Sequence, residues 1–506
     1  MAFLIGGIDL LFEDRRLLFF DRRDIGSSES VALTLNPPAK CGPCLSIEKK
    51  WELGLVRASS IVSWQGSFRL YYSLDLDDGR KALAFAESSD GIAWTRPNLG
   101  AVSYDGSTAN NLVDIGEMRP AETCVFVDPT GPDDHAFKLV CHNPYEGVYL
   151  MTSPDGVRFR RAEGYLLTCS ADNHMSAFYD PQIGRYRLYL RGSDRSRPVL
   201  GWSGSRMVVY AETDDLFKPI AIDENAPDPH SPGMERPGPD GTTIRPLAGI
   251  NRELPAAMRC DDLDPPECDM YQAAAVHYAP DAYVAFPTLY YHYPGLPEGY
   301  LNDGVLDIHF AASRDGTVWQ RDFRGPYVRL DLPGGPATKQ MHMLVGLVPH
   351  GHTLSQYYTG RRRTHGEGRT ADNIKGTGFH EPKMGDPIAL RVEQRMDGFV
   401  SADSAYTGGW LTTAPFALQS DALAVNIDTS ASGAARAALL DESGAEIDGF
   451  GIEDSDRIQG NDTSHMLTWR GRGDLSVLVG ARIRLRLESR GAKLFAVYPD
   501  LPGNNT

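Results

Sequence analysis

A repeated two-part pattern is the feature that most constrains the fold of this chain. Five segments contain an apolar run, a turn-forming breaker and a second run that alternates aromatic with aliphatic residues; they span 59–73, 123–141, 176–190, 274–286 and 343–358. This pattern is typical of a β-hairpin, and its recurrence within one chain indicates a repeat architecture. The length of 506 residues leaves room for five such units and a further domain.

A short turn phrase follows each hairpin after one more alternating run. It reads SSDGIAW at 88–94, SPDGVRF at 153–159 and SRDGTVW at 313–319, with looser versions TDDLF at 213–217 and MDGFV at 396–400. Asp-Gly tolerates the positive φ of a tight turn, and a Ser or Thr side chain can bond back to the turn backbone. The phrase therefore predicts the end of a third strand and the entry into a fourth, outer strand.

Four-stranded antiparallel units at uneven spacings, without long amphipathic helices between them, indicate an all-β fold with a five-bladed β-propeller over residues 1–396. A large β-sandwich or two stacked β domains is the alternative. Residues 1–50 are expected to close or brace the ring, with ESVALTLNPP at 29–38 as the outer strand of the last blade. After Asp397-Gly398 the aromatic residues thin out and short alternating strands predict a β-sandwich domain over 397–506.

Charge and cysteine usage exclude several classes of protein. A net charge of −17 argues against a nucleic-acid or anionic-membrane partner, because phosphate binding requires a concentrated basic surface. The apolar start runs into Glu13 and Asp14 without a preceding basic residue, and no later segment is long enough to span a bilayer, so we expect a cytoplasmic protein. The CGPC stretch at 41–44 stands in a Pro-rich loop, and Cys260 and Cys268 read as loop thiols. No spacing predicts a metal site, and we expect no cofactor.

Polar residues at the starts of the five first strands are the candidate site. In a propeller these strands line a central channel, so their starts converge on one opening. The candidates are Glu52, Arg119, Glu122, Asp172, Asn173, His174, Asp269, Tyr271 and His342. Four of them are carboxylates, which are rarely buried unless they are paired or used. Taken singly, each carboxylate also fits a capping or turn role.

Two carboxylates placed across a sugar can cleave a glycosidic bond. One protonates the leaving oxygen, and the other attacks the sugar or activates water. The sequence therefore predicts a glycoside-cleaving site with Asp172 and Asp269 as the leading catalytic pair and Glu52 and Glu122 next. Whether the reaction retains or inverts configuration depends on the distance between the two carboxylates.

Two further loops supply candidate substrate-binding residues. Asp307 interrupts a strand that otherwise alternates, and the run Arg361–Arg363 with His365 would suit an anionic sugar or a phosphate if it lies at the channel mouth. A solvated loop is the simpler interpretation of the arginines. The residues expected to bind substrate are Arg119, Asn173, His174, Tyr271, Asp307, His342, Arg361 and His365.

Four stretches carry a family resemblance. The segments 84–113, 177–191, 302–321 and 395–413, among them NDGVLDIHFAASRDGTVWQR, resemble bacterial proteins with a glycoside hydrolase family 32 amino-terminal-like domain. The resemblance covers most of the chain and implies a five-bladed propeller related to families 32, 43 and 130, followed by a β-sandwich. The three motifs of true invertases are not intact in this chain, which argues against fructose substrates.

Three functions follow from this reading. A glycoside hydrolase acting on a small oligosaccharide or glycoside is the leading hypothesis. A glycoside phosphorylase, with phosphate held by the arginine run and His365, is the alternative within enzymes. A non-catalytic carbohydrate-binding propeller is the alternative from another class. For the second domain, glycan binding, homo-oligomerisation and buttressing of the propeller are all open, and we favour buttressing.

Overall fold

The computed structural model describes residues 15–54, 56–116, 123–143, 147–167, 171, 175–194, 196–197, 199, 205–220, 236–237, 243–244, 254–300, 302–367 and 382–499. Within these ranges the chain consists of β-strands and connecting loops, with no α-helix and three single-turn 3-10 helices: Lys50–Glu52, Asp133–His135 and Ser476–Leu478. No helix in the described ranges is both long and apolar enough to cross a membrane.

The N-terminal segment contributes four strands before the first blade. They are β1 (Leu17–Leu18), β2 (Ile25–Glu29), β3 (Val31–Leu35) and β4 (Ala39–Ser46). Five antiparallel sheets then follow along the chain, and they form the five blades of a β-propeller. The predicted fold class is therefore confirmed.

Each blade is an antiparallel sheet whose first strand is the innermost. Blade one contains β5 (Val56–Trp64), β6 (Ser67–Asp75), β7 (Lys81–Ser88) and β8 (Leu112–Val113). Blade two contains β9 (Thr123–Val127), β10 (Phe137–Asn143), β11 (Gly147–Ser153) and β12 (Arg160–Arg161). Blade three contains β13 (Ser176–Asp180), β14 (Arg185–Asp194), β15 (Ser205–Thr213) and, after the short ribbon β16 (Arg236–Pro237) and β17 (Thr243–Ile244), β18 (Ala256–Met258).

The last two blades carry an additional short strand. Blade four contains β19 (Cys268–Ala279), β20 (Ala282–His292), β21 (Gly304–Ile308), β22 (Ala311–Ser313) and β23 (Trp319–Gln320). Blade five contains β24 (Gln340–Met343), β25 (Val348–His350), β26 (Thr353–Arg361) and β27 (Pro387–Arg395). The five predicted hairpins fall on the first two long strands of the five blades.

A second, β-rich domain follows the propeller. Its strands are β28 (Val400–Ser404), β29 (Gly409–Thr413), β30 (Phe416–Ala417), β31 (Ala424–Leu440), β32 (Ile458–Met466), β33 (Arg482–Arg490) and β34 (Ala492–Tyr498). With β1, β2 and β3 they form one ten-stranded sheet around a common apolar core. The long strand β31 pairs with β34 through its first half and with β33 through its second half. The strands are thus hydrogen-bonded into one continuous sheet, and the β-sandwich arrangement of this domain stays a prediction.

The N-terminal segment closes the propeller, but with a different strand from the one predicted. Strand β4 pairs with β27 and is the outer strand of blade five, so Cys41–Cys44 lie in a strand and not in a loop. The predicted segment 29–38 contains β3, which pairs with β28 in the second domain. Strands β1 and β2 also join the second domain, through β34 and β29. The N-terminal residues therefore serve both domains, and residues 17–35 are not part of the ring.

The inner strands hold the ring together through direct contacts between blades. Ser60 of blade one forms a parallel bridge with Val345 of blade five. The Ser60 hydroxyl also accepts a hydrogen bond from the Val125 amide of blade two at 3.0 Å. In the same way the Ser176 hydroxyl of blade three accepts the Ala275 amide of blade four at 3.0 Å. Small hydroxyl residues therefore allow close packing around the channel while satisfying strand amides.

The repeated turn phrase forms one hydrogen-bonded structure in three blades. The amides of Gly91, Gly156 and Gly316 donate to the hydroxyl of the serine three residues earlier at 2.8, 3.0 and 2.9 Å. These glycines have φ values of 69°, 71° and 73°, which are unfavourable for residues with a side chain. Local turn chemistry therefore explains the serine, the aspartate and the glycine of the phrase.

A tyrosine from the neighbouring blade binds the carbonyl of each of these glycines. Tyr71 of blade one donates to Gly156 of blade two at 2.9 Å, and Tyr189 of blade three donates to Gly316 of blade four at 2.7 Å. Tyr357 of blade five closes the ring by donating to Gly91 of blade one at 2.5 Å. The phrase recurs because the same turn joins one blade to the next.

A buried carboxylate links the propeller to the second domain. Asp397 is 1 % exposed and accepts hydrogen bonds from Arg16 Nη1 at 2.9 Å, Tyr278 Oη at 2.7 Å and Tyr498 Oη at 2.7 Å. Arg16 precedes β1, Tyr278 lies on the inner strand of blade four and Tyr498 ends β34. One side chain therefore connects the N-terminal segment, the ring and the last strand of the second domain.

Candidate active site

One edge of the propeller collects residues from several blades. The inner strands begin at this edge, and antiparallel pairing brings the ends of second strands to the same place: Cys268 at the start of β19 is opposite Tyr291, and Gln340 at the start of β24 is opposite Arg361. The starts of third strands lie there for the same reason, as Ser205 of β15 is opposite Asp194. Side chains distant in sequence can therefore meet at this edge.

Asp269 is the central carboxylate of the described site. It is the second residue of β19 and only 2 % exposed. Its Oδ2 accepts a hydrogen bond from Arg206 Nη1 of blade three at 2.9 Å and lies 3.2 Å from His292 Nε2 at the end of β20. Burial by itself would raise the pKa of Asp269, but the charge of Arg206 and the contact with His292 outweigh burial and hold the pKa below that of an ordinary aspartate. Asp269 is therefore ionised at neutral pH.

Aromatic rings surround the Asp269–Arg206 pair. The guanidinium of Arg206 lies 5.2 Å from the ring centroid of Tyr271 and 5.6 Å from that of Tyr290. His365 packs edge-on against both tyrosines, with ring centroids 4.9 and 5.0 Å away, and His342 lies 5.4 Å from Tyr271. These rings shield the ion pair from water and present flat surfaces of the kind on which sugars stack.

The loop that carries His365 is tied to blade four. Asp303 accepts hydrogen bonds from Thr364 Oγ1 at 2.8 Å and from the Gly366 amide at 2.7 Å. The His365 amide in turn donates to the Gly304 carbonyl at 3.0 Å. Asp303 is therefore a positioning residue, which places the His365 ring against Tyr271 and Tyr290.

Several buried polar atoms of this site lack a partner among the described residues. They are Asp269 Oδ1, the Tyr290 hydroxyl, Arg206 Nε and His292 Nδ1. Buried polar groups are nearly always hydrogen-bonded, and an unsatisfied one costs about 1–3 kcal/mol. Four such atoms around one carboxylate provide the hydrogen-bonding capacity that a polar ligand would use.

The structure brings together four of the predicted site residues: Asp269, Tyr271, His342 and His365. Five others lie outside the described residues, namely Arg119, Glu122, Asp172, Asn173 and His174. The predicted catalytic partner of Asp269 is among those five. The remaining three residues are Glu52, Asp307 and Arg361. They lie among the described residues, but in three different places.

Glu52 lies within blade one in a fully hydrogen-bonded position. Its side chain is 0 % exposed and accepts hydrogen bonds from Tyr72 Oη at 2.7 Å, Arg96 Nε at 2.6 Å and two backbone amides. A carboxylate with this many partners stabilises the blade and has no oxygen left for a substrate. The 3-10 helix Lys50–Glu52 turns the side chain into the blade, and the sequence pattern did not predict that helix.

Asp307 lies on the other face of blade four from Asp269. It is opposite Leu289 across the β20–β21 pair, whereas Asp269 is opposite Tyr290, the next residue along β20. Neighbouring residues of a strand point to opposite faces. Asp307 instead contacts His309 Nε2 at 2.9 Å. The structure therefore does not place it with the Asp269 site.

The arginine run is divided between the site edge and local contacts. Arg361 ends β26 opposite Gln340, at the edge where the inner strands begin. Arg362 Nε donates to the Gly335 carbonyl at 3.0 Å, and Arg363 lies 3.7 Å from Glu367. Two of the three arginines thus have structural partners within the loops.

The predicted site residues did not include Arg206, Tyr290 or His292, although the last two lie in the aromatic-rich stretch 286–295, which suits sugar stacking. Arg206 is the second residue of a third strand, and the other two end a second strand. The residue list was drawn from the starts of first strands and from two loops of blades four and five. Antiparallel pairing carries the signal that would have found them, because the ends of second strands and the starts of third strands lie at the same edge.

A separate cavity of about 690 Å³ opens at the other end of the channel. It is lined by the last residues of the inner strands of all five blades, including Trp64, Phe178 and His277. Its one carboxylate is Asp281, which lies 3.5 Å from Arg23. The lining is therefore mainly apolar and lacks the paired acid and base groups that glycoside cleavage needs.

The described residues contain no group of three or more His, Cys, Asp or Glu side chains arranged to hold a metal ion. Cys260 and Cys268 are free, buried thiols with their sulfur atoms 3.7 Å apart; Cys260 lies in a loop, as the sequence suggested, whereas Cys268 belongs to a strand. Cys268 begins the strand that carries Asp269. Its sulfur lies on the opposite face of that strand from the Asp269 carboxylate.

Neither a protein-family model nor a curated protein sequence matches the chain. Similar solved structures include a thermostable family-43 glycoside hydrolase, with 12 % identity and a TM-score of 0.39 over 69 % of this chain and 93 % of that one. The catalytic domain of the Coprinopsis cinerea GH62 α-L-arabinofuranosidase has 12 % identity and a TM-score of 0.39 over 71 % and 97 %. An N-acetylgalactosamine deacetylase from F. plautii, in complex with blood group B trisaccharide, has 13 % identity and a TM-score of 0.39 over 72 % and 96 %. None of these TM-scores reaches 0.5, and the likeness to family 32 stays a prediction.

Proposed function

We propose that this chain is a glycosidase that cleaves a small oligosaccharide or glycoside at the edge where blades three, four and five meet. The observation that carries the proposal is Asp269, a buried carboxylate with one oxygen bound to Arg206 and the other without a partner among the described residues. Unlike the buried carboxylates Glu52 and Asp397, which have both oxygens hydrogen-bonded, Asp269 keeps one oxygen available for a ligand. The surrounding tyrosines and histidines supply the flat faces and hydrogen-bonding groups that a sugar requires.

The lowered pKa of Asp269 determines which half of the chemistry it can perform. An ionised carboxylate can attack the anomeric carbon or activate a water molecule, whereas a general acid must hold a proton near neutral pH. Asp269 therefore takes the nucleophile or base role. The acid is a second carboxyl group, and Asp172, which lies outside the described residues, is our candidate for it.

The aromatic residues have a positioning role in this proposal. Tyr271 and Tyr290 contact each other edge-on and both pack against the Arg206 guanidinium, which keeps the ion pair to Asp269 in one geometry. The Tyr290 hydroxyl is buried without a partner among the described residues. Tyr290 lies on β20, two residues before His292, so the two side chains point to the same face of the strand. It is therefore placed to bind a sugar hydroxyl, together with Arg206 Nε.

The phosphorylase alternative receives less support from the geometry. It relied on Arg361–Arg363 together holding a phosphate, but Arg362 and Arg363 have other partners. Turnover that requires inorganic phosphate would nevertheless distinguish phosphorolysis from hydrolysis, so phosphate belongs in the assay. The propeller would instead be a binding protein if a confirmed sugar ligand is not turned over.

The experiment compares Asp269→Asn with Asp307→Asn on a panel of aryl glycosides, each with and without phosphate. Both changes remove one carboxylate from blade four, but Asp307 lies on the opposite face from the site. We expect Asp269→Asn to lower kcat/KM by at least about a hundredfold, in the range of a lost acid-base group, and Asp307→Asn to leave it close to wild type. Equal turnover by wild type and Asp269→Asn on a confirmed substrate would remove Asp269 from the mechanism.

A further inference from the structure

The second domain carries an open pocket that the proposed glycosidase chemistry does not use. It has a volume of about 620 Å³ and lies across strands β2, β29, β33 and β31. A row of directly opposed residues crosses these strands: Glu29 is opposite Trp410, Trp410 is opposite Glu488, and Glu488 is opposite Arg436. Direct opposition places all four side chains on the same face of the sheet.

The side chains of three arginines at this pocket form no ion pair or hydrogen bond with the described residues. They are Arg436, Arg457 and Arg490, all of them exposed. The two glutamates at the pocket are already engaged: Glu488 binds Arg486 at 2.9 Å, and Glu29 accepts the Trp410 indole N–H at 3.2 Å. The three arginines outnumber the two glutamates of the lining, and Arg486 offsets the charge of Glu488, so this face is net positive although the whole chain has a net charge of −17.

The pocket also holds an oriented aromatic ring. The Arg486 guanidinium lies 4.5 Å from the centroid of Trp410, and the bond to Glu29 fixes the direction of the indole N–H. Gly408, Gly409 and Ala434 beside the ring are small, which leaves the depression between Trp410 and Arg490. A fixed indole at the wall of a shallow polar pocket can stack against the face of a sugar.

We propose that this pocket binds a saccharide that carries an anionic group, through stacking on Trp410 and charge-assisted hydrogen bonds to Arg436, Arg457 and Arg490. Planar guanidinium groups bind carboxylates and sulfates through paired hydrogen bonds, so a uronate and a sulfated sugar share the required chemistry. This site is separate from the Asp269 site and does not depend on its activity. It also gives the second domain a ligand-binding role in addition to its attachment to the propeller.

Calorimetric titration of the full chain with trigalacturonate, galactotriose and a sulfated galactotriose tests the proposal. We expect saturable binding of one or both anionic trisaccharides, and binding of neutral galactotriose at least about tenfold weaker, since the neutral sugar cannot form the charge-assisted hydrogen bonds to the arginines. Trp410→Ala and the double variant Arg436→Ala/Arg490→Ala should each weaken anionic binding by about tenfold or more.

Two control variants locate the binding. Arg472→Ala removes an exposed arginine of the same domain that does not line the pocket, and Tyr271→Ala alters the Asp269 site. Both should bind trigalacturonate like wild type. Equal affinity for the neutral trisaccharide, unchanged binding in Trp410→Ala, or loss of binding in Tyr271→Ala alone would overturn the proposal. A failure of all three sugars to bind would also overturn the proposal. If sedimentation then shows self-association that the Arg436→Ala/Arg490→Ala variant abolishes, the face is a protein interface.

Discussion

Asp269 keeps its charge because of two residues that lie on other strands. Arg206 belongs to the preceding blade and His292 to the neighbouring strand of the same blade. Together they overcome the effect of burial, which alone would favour the neutral acid. The chemical role of Asp269 therefore depends on the packing of two blades against each other.

Replacing Arg206 with Gln should change the pH dependence of stability. The wild-type carboxylate has a lowered folded-state pKa, so it contributes stability above the ordinary value of about 3.9 and loses that contribution as the pH falls through the folded-state value. Without Arg206, burial dominates and the folded-state pKa should rise. We expect a loss of about 3–5 kcal/mol in the free energy of unfolding near pH 7 and a much smaller loss once the pH falls below the lowered folded-state pKa of wild-type Asp269.

Chemical denaturation at several pH values measures this difference. Arg185→Gln is the matched control, because Arg185 forms exposed ion pairs on the same blade as Arg206. If the difference in the free energy of unfolding between Arg206→Gln and wild type does not change with pH, then Arg206 does not stabilise the charged form of Asp269.

The turn between the third and fourth strands is the element that the sequence describes most completely. Its serine, aspartate and glycine were identified as turn residues, and the structure gives them the expected bonds. The tyrosine that binds the glycine carbonyl lies in another blade, so no local pattern could reveal it. The recurrence of the phrase was the only sign in the sequence of this contact between blades.

Gly156→Ala tests the contact at this turn. A Cβ atom at Gly156 would lie 2.4 Å from Tyr71 Oη and 2.7 Å from a ring carbon of Phe137. Gly164 has a similar φ, 79° against 71°, but no atom within 4 Å of the corresponding Cβ position. Both alanine variants carry the strain of positive φ, about 1–2 kcal/mol, and Gly156→Ala should lose about 1–3 kcal/mol more from overpacking.

Thermal and denaturant unfolding of the two variants provides the measurement. Equal losses of stability in Gly156→Ala and Gly164→Ala would mean that the turn conformation alone accounts for the glycine, and that the tyrosine of the neighbouring blade places no steric demand on it.

Strand pairing explains both what could and what could not be predicted about the site. Asp269, Tyr271 and His342 were found because the starts of first strands can be located along the sequence. Arg206 and His292 were missed because their strands were not searched at the same edge. Glu52 was predicted at the site, but a single 3-10 turn directs it into blade one. The closing strand was misplaced because the Gly-Pro of β4 made it read as a loop, and because the partners of β3 and β4 lie more than 300 residues away.

At the scale of the whole molecule, one buried carboxylate connects the two domains. Asp397→Ala should leave Arg16, Tyr278 and Tyr498 without their acceptor, and we expect a loss of about 3–5 kcal/mol in the free energy of unfolding. We also expect the second domain to unfold before the propeller in the variant, because the side chain joins the two. Asp448→Ala, at an exposed position of the second domain without described partners, should match wild type.

Calorimetry distinguishes the outcomes for this junction. Two separated transitions in Asp397→Ala and one in Asp448→Ala would agree with a coupling role. A stability and a transition profile equal to wild type in Asp397→Ala would show that the surrounding apolar contacts are sufficient to hold the domains together.

We propose that sugar chemistry takes place at the edge of the ring around Asp269 and not in the cavity of about 690 Å³ at the opposite end. The most direct test is a crystal structure of the Asp269→Asn variant with an oligosaccharide that the wild type cleaves. We expect a sugar ring within hydrogen-bonding distance of Tyr290 Oη and Arg206, stacked near Tyr271. A sugar bound instead in the cavity lined by Trp64, Phe178 and His277 would contradict it.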